Sequence, residues 1–336
     1  MKIFSKSRRL RVKKEWLFRA LACGLCGILS AGLLVSCVGT RQVSAGSPGS
    51  AVRSSSAEKT TFTDAVGNRV TATSAKRVIA LMGSFAETWT DAGGTLIGVT
   101  KDAYSGHHLN LGKTVANLGS YTNPSMEQII SLKPDFVILS VDTPQHVKLC
   151  KALREAGLNA ACFHMETFVD YLKVLKNFTQ ITGREDLYRK NGLAVQEQIH
   201  QIIAGTKGKK SPTVLFIRAY STGYDVMNSS TMTGAMLKDL GAVNIADSDR
   251  GLLHDLSMDA ILQHNPDDIL VVVMGADEKK ALTLIHQQFQ SNPAWEGLKA
   301  VQNHRYAVIP KDLFHYKPNA RWGESYAYLS KLLYGS

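Results

Sequence analysis

Metal ligation is the first chemistry that the residue types suggest. His107 and His108 are adjacent, and His254 lies much further along the chain. Imidazole is a common ligand of zinc and other transition metals, but such sites need three or four side chains that converge on the ion. Two neighbouring histidines on one loop do not converge without help from further ligands. The sequence therefore does not predict a site for a bare metal ion.

Thiol chemistry is the second possibility. The chain has five cysteines, of which Cys23 and Cys26 lie in an apolar segment near the N-terminus and Cys37 follows that segment. Cys150 falls on a predicted helix and Cys162 on the strand predicted next. An oxidising compartment would permit a disulfide between these two. Two buried free thiols fit the sequence equally well, so both alternatives stay open.

Motifs for nucleophilic or phosphate chemistry are missing from the sequence. The chain contains no G-x-S-x-G nucleophile elbow, no Walker phosphate loop and no G-x-G-x-x-G dinucleotide fingerprint. We therefore predict that the protein is not an enzyme.

The N-terminal residues have the pattern of an export signal. Residues 1–19 carry +7 of the net charge of +11, and an apolar stretch from Leu21 to Val35 follows. This order, with small residues at its end, is typical of a signal peptide, and the stretch is shorter than a membrane span needs. Its end, Leu34-Val35-Ser36-Cys37, resembles the bacterial lipobox, which implies cleavage before Cys37 and lipidation of that residue. An uncleaved anchor is the alternative, and it would leave the protein on the same side of the membrane.

The composition then changes twice along the chain. Residues 37–59 are rich in Ser, Gly, Ala and Thr, which predicts a flexible tether after the signal peptide at residues 1–36. Residues 20–336 carry a net charge of only +4, too little to indicate a nucleic-acid partner. The length beyond the tether is enough for two α/β lobes, which we predict at residues 60–166 and 211–336, with linking helices at residues 167–210.

Strands and helices alternate on both sides of a long central helix. Continuous apolar runs at residues 136–140 and 269–273 predict strands that are buried on both faces, as in parallel sheets. The central helix runs from Glu185 to about Thr206, with apolar residues at helical spacing. A T-x-x-E pattern from Thr182 to Glu185 predicts a capping box at its start.

Two segments look like the same unit. Residues 125–139 read SMEQIISLKPDFVIL, and residues 257–271 read SMDAILQHNPDDILV. Both contain a capping Ser, a Met, an acid, a short apolar helix, Pro-Asp and a buried strand. The repeat predicts two lobes of related design, one on each side of the central helix.

These features together resemble the substrate-binding lipoproteins of ABC importers for iron–siderophores, haem and cobalamin. The resemblance covers residues 60–335 and is carried by KRVIAL at 76–81, both Ser-Met-acid helices, NPAW at 292–295 and KPNARWGE at 317–324. It implies a periplasmic binding protein fold, in which one rigid helix joins two Rossmann-like lobes with the ligand cleft between them. A rigid helical connection implies small lobe motion.

The resemblance implies two kinds of functional residue. In such proteins an exposed acid on each lobe docks onto the permease, and by position these acids are Glu127 and Asp259. An acid in the first turn of a helix is also ordinary, because the helix dipole favours it.

The ligand is expected on loops at the strand ends between the lobes. Arg218 is the strongest candidate, since guanidinium pairs with planar oxygen ligands; a salt bridge is its structural alternative. Arg321 is expected to support the fold more than the ligand, and Trp89 and Tyr188 to pack in the core. The full set of candidates is Met82, Ser84, Phe85, Tyr104, Tyr121, Arg218, Tyr220, Met274, Arg321 and Trp322.

The expected function is capture of a ferric siderophore and delivery to an ABC permease and its ATPase, by a monomer on the extracytoplasmic face of the membrane. No permanent cofactor is expected. Haem or cobalamin is the alternative cargo, and haem iron would need an axial Met, His or Tyr such as Met82, His254 or Met274. A membrane-tethered α/β enzyme and a static cell-wall module are the competing classes.

Overall fold

The computed structural model describes residues 59–73 and 75–335. The predicted signal peptide, the lipidation site Cys37 and all but the last residue of the predicted tether lie outside the described residues. Within the described part, no helix is both long enough and apolar enough to cross a membrane.

An antiparallel hairpin opens the fold. β1 (Lys59–Thr63) pairs with β2 (Arg69–Thr73), which confirms the hairpin that the sequence predicts around Gly67-Asn68. The buried Asp64 carboxylate accepts hydrogen bonds from the backbone N–H of Asn68 at 2.7 Å and of Cys162 at 3.2 Å. The hairpin is thereby fastened to the first sheet.

The first sheet is parallel, with the strand order β5-β4-β3-β6-β7. Helices fill the connections between its strands, as the alternating pattern predicts. The elements are β3 (Val78–Ala80), α1 (Gly83–Asp91), β4 (Leu96–Val99), α2 (Asp102–Ser105), β5 (Ala116–Asn117), α3 (Met126–Ser131), β6 (Phe136–Ser140), α4 (Pro144–Glu155) and β7 (Ala160–Phe163).

Two consecutive helical segments connect the sheets. The first is α5 (Phe168–Thr182); the second continues through α6 (Glu185–Tyr188), a π-helical turn (Arg189–Leu193) and α7 (Ala194–Thr206). The second segment has the bounds that the sequence predicts. The capping box predicted at its start is wrong, because the Thr182 hydroxyl donates to the Ala92 carbonyl at 2.6 Å and caps nothing. The capping box lies instead at the start of α5, between Thr167 and Asp170.

The second sheet has the order β10-β8-β11-β12, with β9 paired antiparallel to β8 and the other strands parallel. Its elements are β8 (Thr213–Tyr220), β9 (Gly223–Val226), α8 (Met232–Asp239), β10 (Val243–Asn244), α9 (Ile245–Ser248), a 3-10 turn (Arg250–Leu253), α10 (Met258–His264), β11 (Asp268–Val273), α11 (Glu278–Ile285), a π-helical turn (His286–Gln290), a 3-10 turn (Pro293–Gly297), α12 (Lys299–Gln302), β12 (Tyr306–Ile309), α13 (Lys311–Phe314), a 3-10 turn (Asn319–Arg321) and α14 (Trp322–Tyr334).

One face of each sheet contributes to a common core. Alternate strand residues point to opposite faces. Val78 and Val214 belong to a central cluster that also contains Phe178 of α5, Ile199 of α7 and Leu329 of α14. The other faces form separate outer cores, one for each sheet. The linking helices therefore join the two sheets through continuous apolar packing.

The predicted repeat is confirmed in backbone detail. Lys133 and Asn265 both adopt left-handed backbone conformations, with φ of 47° and 39°, directly before Pro-Asp. The Asp135 carboxylate then accepts the N–H of Arg77 at 3.0 Å, and the Asp267 carboxylate accepts that of Thr213 at 2.9 Å. Each aspartate thus fixes the start of the neighbouring strand in its own sheet.

Candidate functional site

Arg218 lies inside a strand and already has an acidic partner. The sequence predicts that the strand ends at Ile217, but β8 continues to Tyr220 because it pairs with β9. The Arg218 guanidinium contacts the Asp225 carboxylate across this pair at 2.6 Å, and the Tyr220 hydroxyl donates to the same carboxylate at 3.4 Å. The Nε of Arg218 is buried and has no hydrogen-bond partner among the described residues. Arg218 therefore combines an ion pair with an unused donor.

Positive side chains gather around His315. Burial first, and then the charges of Arg218, Lys317 and Lys311, lower the pKa of His315 to about 4. The imidazole is therefore neutral at neutral pH and adds no positive charge to that of the neighbouring cations. Arg218 is paired with Asp225, whereas Lys311 forms no ion pair with any described residue. We call the surface formed by Arg218, Lys311 and Lys317 the cationic wall of the second lobe. It is consequently suited to an anion.

Aromatic and imidazole rings continue from this wall towards the first lobe. The rings of His315 and Tyr316 lie 5.0 Å apart, and those of Tyr316 and His107 lie 5.5 Å apart. Burial and the neighbouring Asp102 and Tyr121 raise the pKa of Tyr316. The exposed Tyr121 of the first lobe therefore lies near Tyr316 of the second. Polar aromatic groups of both lobes meet at this point.

A short segment of the second lobe is bonded directly to the first. Asn319 is fully buried, with a left-handed φ of 50°. Its amide nitrogen donates to the Ser84 carbonyl at 3.2 Å and to Glu87 Oε2 at 2.6 Å, and its amide oxygen accepts from the Thr88 hydroxyl at 3.1 Å. The side chain therefore satisfies groups on α1 that the lobe interface buries.

Glu166 makes a second connection between the lobes. One carboxylate oxygen accepts the backbone N–H of Met232 at 2.8 Å, and the other contacts the Lys317 ammonium. Lys317 thus belongs to the cationic wall and is held by an acid of the first lobe.

The first lobe has buried acidic side chains close to its contact with the second lobe. Burial, and next the negative charge of Glu87, raise the pKa of Asp91 to about 7. His107 Nδ1 lies 2.6 Å from Glu87 Oε2, and one oxygen each of Asp91 and Asp102 is buried without a partner among the described residues. The first lobe therefore contributes buried acids close to its contact with the second lobe.

Three of the predicted ligand residues serve the fold. Phe85 and Trp322 are each 1 % exposed and pack in the central core, and their roles as ligand contacts stay predictions. The ring of Phe85 lies 6.0 Å from that of Phe163, and the ring of Trp322 lies 5.9 Å from that of Phe168. Arg321 pairs with Asp312 at 3.0 Å and with Glu324 at 2.7 Å, in keeping with its expected supporting role.

The remaining ligand candidates lie in several environments. Ser84 is buried, and its carbonyl accepts from Asn319. Tyr104 packs on the central core and donates to the Val115 carbonyl at 3.5 Å. Met82 precedes α1 and Met274 follows β11, and both are half-buried at strand ends. The roles of all these candidates as ligand contacts stay predictions, namely those of Met82, Ser84, Tyr104, Tyr121, Arg218, Tyr220 and Met274.

The histidines do not form a metal centre. Among residues 59–73 and 75–335, no group of three or more His, Cys, Asp or Glu side chains could hold an ion. His107 is directed at Glu87, and the exposed His108 has a left-handed φ of 51°. His254 is exposed at the end of a 3-10 turn. In the described part of the chain, no hydrogen bond or ring contact joins it to Met82 or Met274.

The two predicted docking acids occupy equivalent, exposed positions. Glu127 follows Ser125, whose side chain accepts the N–H of Gln128; Asp259 follows Ser257, which caps α10 in the same way. Neither acid forms an ion pair with any described residue. Their availability fits a docking role, which stays a prediction.

The two core cysteines lie in one apolar cluster. Cys150 on α4 and Cys162 on β7 are each at most 1 % exposed and are free thiols in this structure.

Comparison with known families decides the class of this fold. The model of the periplasmic binding protein family matches residues 78–313, which is most of the chain. The chain belongs to the periplasmic binding protein family. Both the predicted family and the predicted fold class are therefore confirmed, including the prediction of a solute-binding protein of an ABC importer.

Individual relatives and structures agree with this membership. The chain is 25% identical over 282 residues to the Fe(3+)-citrate-binding protein YfmC of Bacillus subtilis, covering 82% of this chain and 85% of the relative. Its fold matches that of S. aureus IsdE complexed with heme, with a TM-score of 0.63, 18% identity, and coverage of 77% of this chain and 98% of IsdE. It also matches siderophore binding protein BauB, with a TM-score of 0.66, 18% identity, and coverage of 82% and 98%.

Sequence reasoning missed the segment from His315 to Asn319 as part of the site. In the sequence, Lys317-Pro318-Asn319 indicates only the family resemblance. A signal was present, since two aromatic or imidazole residues and a lysine precede Pro-Asn. The missing information was which wall that loop would face.

Proposed function

We propose that this protein is a lipid-anchored receptor that captures an anionic ferric chelate and delivers it to an ABC permease and its ATPase. The observation that carries the proposal is the set of cations around neutral His315, namely Arg218, Lys311 and Lys317. A ferric chelate with carboxylate oxygens carries negative charge on its surface. Guanidinium and ammonium groups bind such oxygens through charge-assisted hydrogen bonds.

The iron enters as cargo within its chelate. The described residues offer no group of three or more ligands for a bare ion, whereas a chelate already satisfies the coordination of its iron. The protein then has to recognise only the outer surface of the complex. The aromatic rings of Tyr121 and Tyr316 supply apolar faces beside the cations, which suits a large complex with both charged and apolar surfaces. The similarity to the Fe(3+)-citrate-binding protein YfmC supports the same cargo class.

Haem is the second candidate, and one observation favours it. His315 is neutral at neutral pH, so its imidazole could ligate haem iron, while the neighbouring cations could pair with the propionates. The fold similarity to IsdE complexed with heme is compatible with this cargo. The predicted axial residues Met82, His254 and Met274 would then be replaced by His315.

A binding titration distinguishes the two. The mature full chain in detergent is titrated with ferric citrate, a ferric hydroxamate, a ferric catecholate, haemin and cobalamin, and tryptophan fluorescence is recorded. Iron-free citrate and gallium citrate are the controls for the chelator and for the metal charge. We expect saturable quenching by ferric citrate and binding of the gallium complex with similar affinity. Tight binding of haemin with a sharp Soret band, lost in His315→Ala, would replace the proposal with the haem alternative. Silence with every ligand would overturn the proposed cargo.

The membrane anchor has its own test. Cells that express the chain are labelled with a radioactive fatty acid, and Cys37→Ala is the matched variant. We expect label on the unaltered chain alone and release of the variant from the membrane. Label that persists in the variant would contradict lipidation at Cys37.

A further inference from the structure

Two short helices expose an aliphatic side chain beside an acid. Ile130 on α3 is 41 % exposed, and Leu262 on α10 is 37 % exposed. Each residue lies three positions after a predicted docking acid, Glu127 or Asp259. Residues three apart are neighbours on a helix surface, so each acid and its aliphatic partner share one face. We call these pairs the first patch (Glu127 and Ile130) and the second patch (Asp259 and Leu262).

The outward direction of both patches has the same cause. Ile129 and Ile261 are fully buried, each in the outer core of its own lobe. Met126 and Met258 pack against the same cores. These two contacts fix the rotation of each helix and turn the next residue, the aliphatic one, towards solvent.

The equivalence of the patches is not expected from packing alone. Single exposed apolar residues are ordinary on protein surfaces. Elsewhere on these helices the exposed positions differ between the repeats, as with Ser131 and Gln263. Both repeats nevertheless place a branched aliphatic residue at this one position, next to an unpaired acid. Val169 is more exposed, at 57 %, but has no repeated counterpart and no patch of this kind.

We infer that the permease docks on both patches, and that each of its two matching sites presents an apolar surface beside a basic residue. This inference rests on the proposed delivery to a permease and adds the aliphatic half of the contact. Charge complementarity selects the partner, because neither acid forms an ion pair with any residue that the structure describes. Because the patches are equivalent by the internal repeat, they fit a partner that offers the same site twice.

The two halves of each patch contribute differently. The acids act at long range and are screened by salt. The aliphatic groups act only on contact, when water leaves the interface, and salt does not screen them. Asp259 is one methylene shorter than Glu127, so the second patch depends more on Leu262 than the first does on Ile130.

The test uses the full lipidated chain in proteoliposomes that contain its permease and ATPase. ATP hydrolysis is measured against the density of the loaded receptor, at low and high salt, for Ile130→Ala, Leu262→Ala, the double variant and the matched control Val169→Ala. We expect a stimulation constant about fivefold weaker for Ile130→Ala and a larger loss for Leu262→Ala, and the double variant should show the product of the two losses because separate lobes act independently. The ratio of each alanine variant's stimulation constant to that of the unaltered chain should not change with salt. Glu127→Gln should reduce the salt dependence of the stimulation constant.

Each outcome decides the inference. Retained stimulation by the double variant, or an equal loss in Val169→Ala, overturns the aliphatic contribution. A parallel loss of chelate affinity would place these residues in the cleft. If an alanine variant melts early, Ile130→Gln and Leu262→Gln replace it, since they keep side-chain length and remove the apolar surface. If the unaltered chain binds the chelate but does not stimulate ATP hydrolysis, the proposed delivery to the permease is overturned. This result is distinguishable from a loss of stimulation that is confined to the variants.

Discussion

The two lobes share one frame and differ at the ends of their strands. In each lobe a Ser-capped helix leads through a left-handed residue and Pro-Asp into a doubly buried strand. The neighbouring strand is then aligned in register, with Val78 beside Phe136 in one sheet and Val214 beside Asp268 in the other. Counted from these pairs, Met82 and Arg218 occupy equivalent positions.

The chain takes different paths from these positions. In the first lobe it enters α1 directly after Met82. In the second lobe β8 continues and turns back as β9, which adds a hairpin and supplies Asp225. A thioether in one lobe therefore corresponds to a guanidinium in the other. The internal repeat thus sets the equivalent positions of Met82 and Arg218, while the added hairpin gives Arg218 an acidic partner in Asp225.

The largest expected effect comes from removing the two predicted docking acids, one in each lobe. Glu127→Ala together with Asp259→Ala should lower transport by on the order of 100-fold, because two unpaired charges are lost from the contact with the permease. The affinity for ferric citrate should stay unchanged. Uptake of labelled iron and fluorescence titration measure the two quantities. An equal fall in both would assign the acids to the cleft.

The next effect sharpens the comparison between the equivalent positions. Arg218→Ala should weaken binding of an anionic ferric chelate by about 30-fold, or about 2 kcal/mol, the contribution typical of a charged hydrogen bond. Met82→Ala should weaken binding by about threefold or less, since it removes only apolar contact. The double variant Arg218→Ala and Asp225→Ala controls for an acid left without its partner. Equal losses for Met82 and Arg218 would contradict different roles for these two positions.

A smaller effect concerns Asp91, a buried acid of the first lobe. Asp91 has a folded-state pKa of about 7, above its unfolded value of 3.8, so the unfolded chain releases this proton first. Its contribution to stability is therefore lost progressively as pH rises from about 4 to 7. Asp91→Asn should raise the free energy of unfolding by about 2 kcal/mol at pH 8 and by nothing at pH 4. Urea unfolding at both pH values measures this difference, and a gain independent of pH would contradict a buried proton on Asp91.

The smallest effect tests the shared backbone turn. Lys133 and Asn265 both have left-handed φ, a conformation that asparagine tolerates better than lysine. Lys133→Asn should stabilise the protein by about 0.5 kcal/mol. Asn265→Lys should destabilise the protein by about 1 kcal/mol. The substitution also removes the asparagine Oδ1, which accepts the backbone N–H of Lys299 at 2.9 Å. Thermal unfolding of both variants measures this, and destabilisation by Lys133→Asn or stabilisation by Asn265→Lys would show that the two turns are not equivalent.

The elements of this fold could be predicted from the sequence, because their signals are local. The strand at Phe136–Ser140 has the predicted bounds, and the strand at Asp268–Val273 begins one residue before the predicted run. Continuous apolar runs and helical spacing are read within ten residues. β8 was predicted three residues too short, because its extension depends on pairing with β9, which is a contact between segments.

The site was less predictable for the same reason. Arg218 was identified because a cation directly after a buried strand is visible in one dimension. His315 and Lys317 were missed, since their proximity to Arg218 arises only when α13 and β8 come together. The burial of Phe85 in the central core could not be predicted, because position after a strand does not show which way a side chain points.

The sequence by itself determined the α/β class, the internal repeat, the export signal expected at the N-terminus and the residues that resemble a family of solute receptors. Each of these depends on residue type and spacing alone. Only the tertiary structure decided that Arg218, Lys311 and Lys317 gather around His315, that acids of the first lobe are buried, and that Asn319 bonds the lobes together. The physical reason is that charge and burial depend on distance in space, and residues 87 and 319, far apart in the chain, come within 2.6 Å only in the fold.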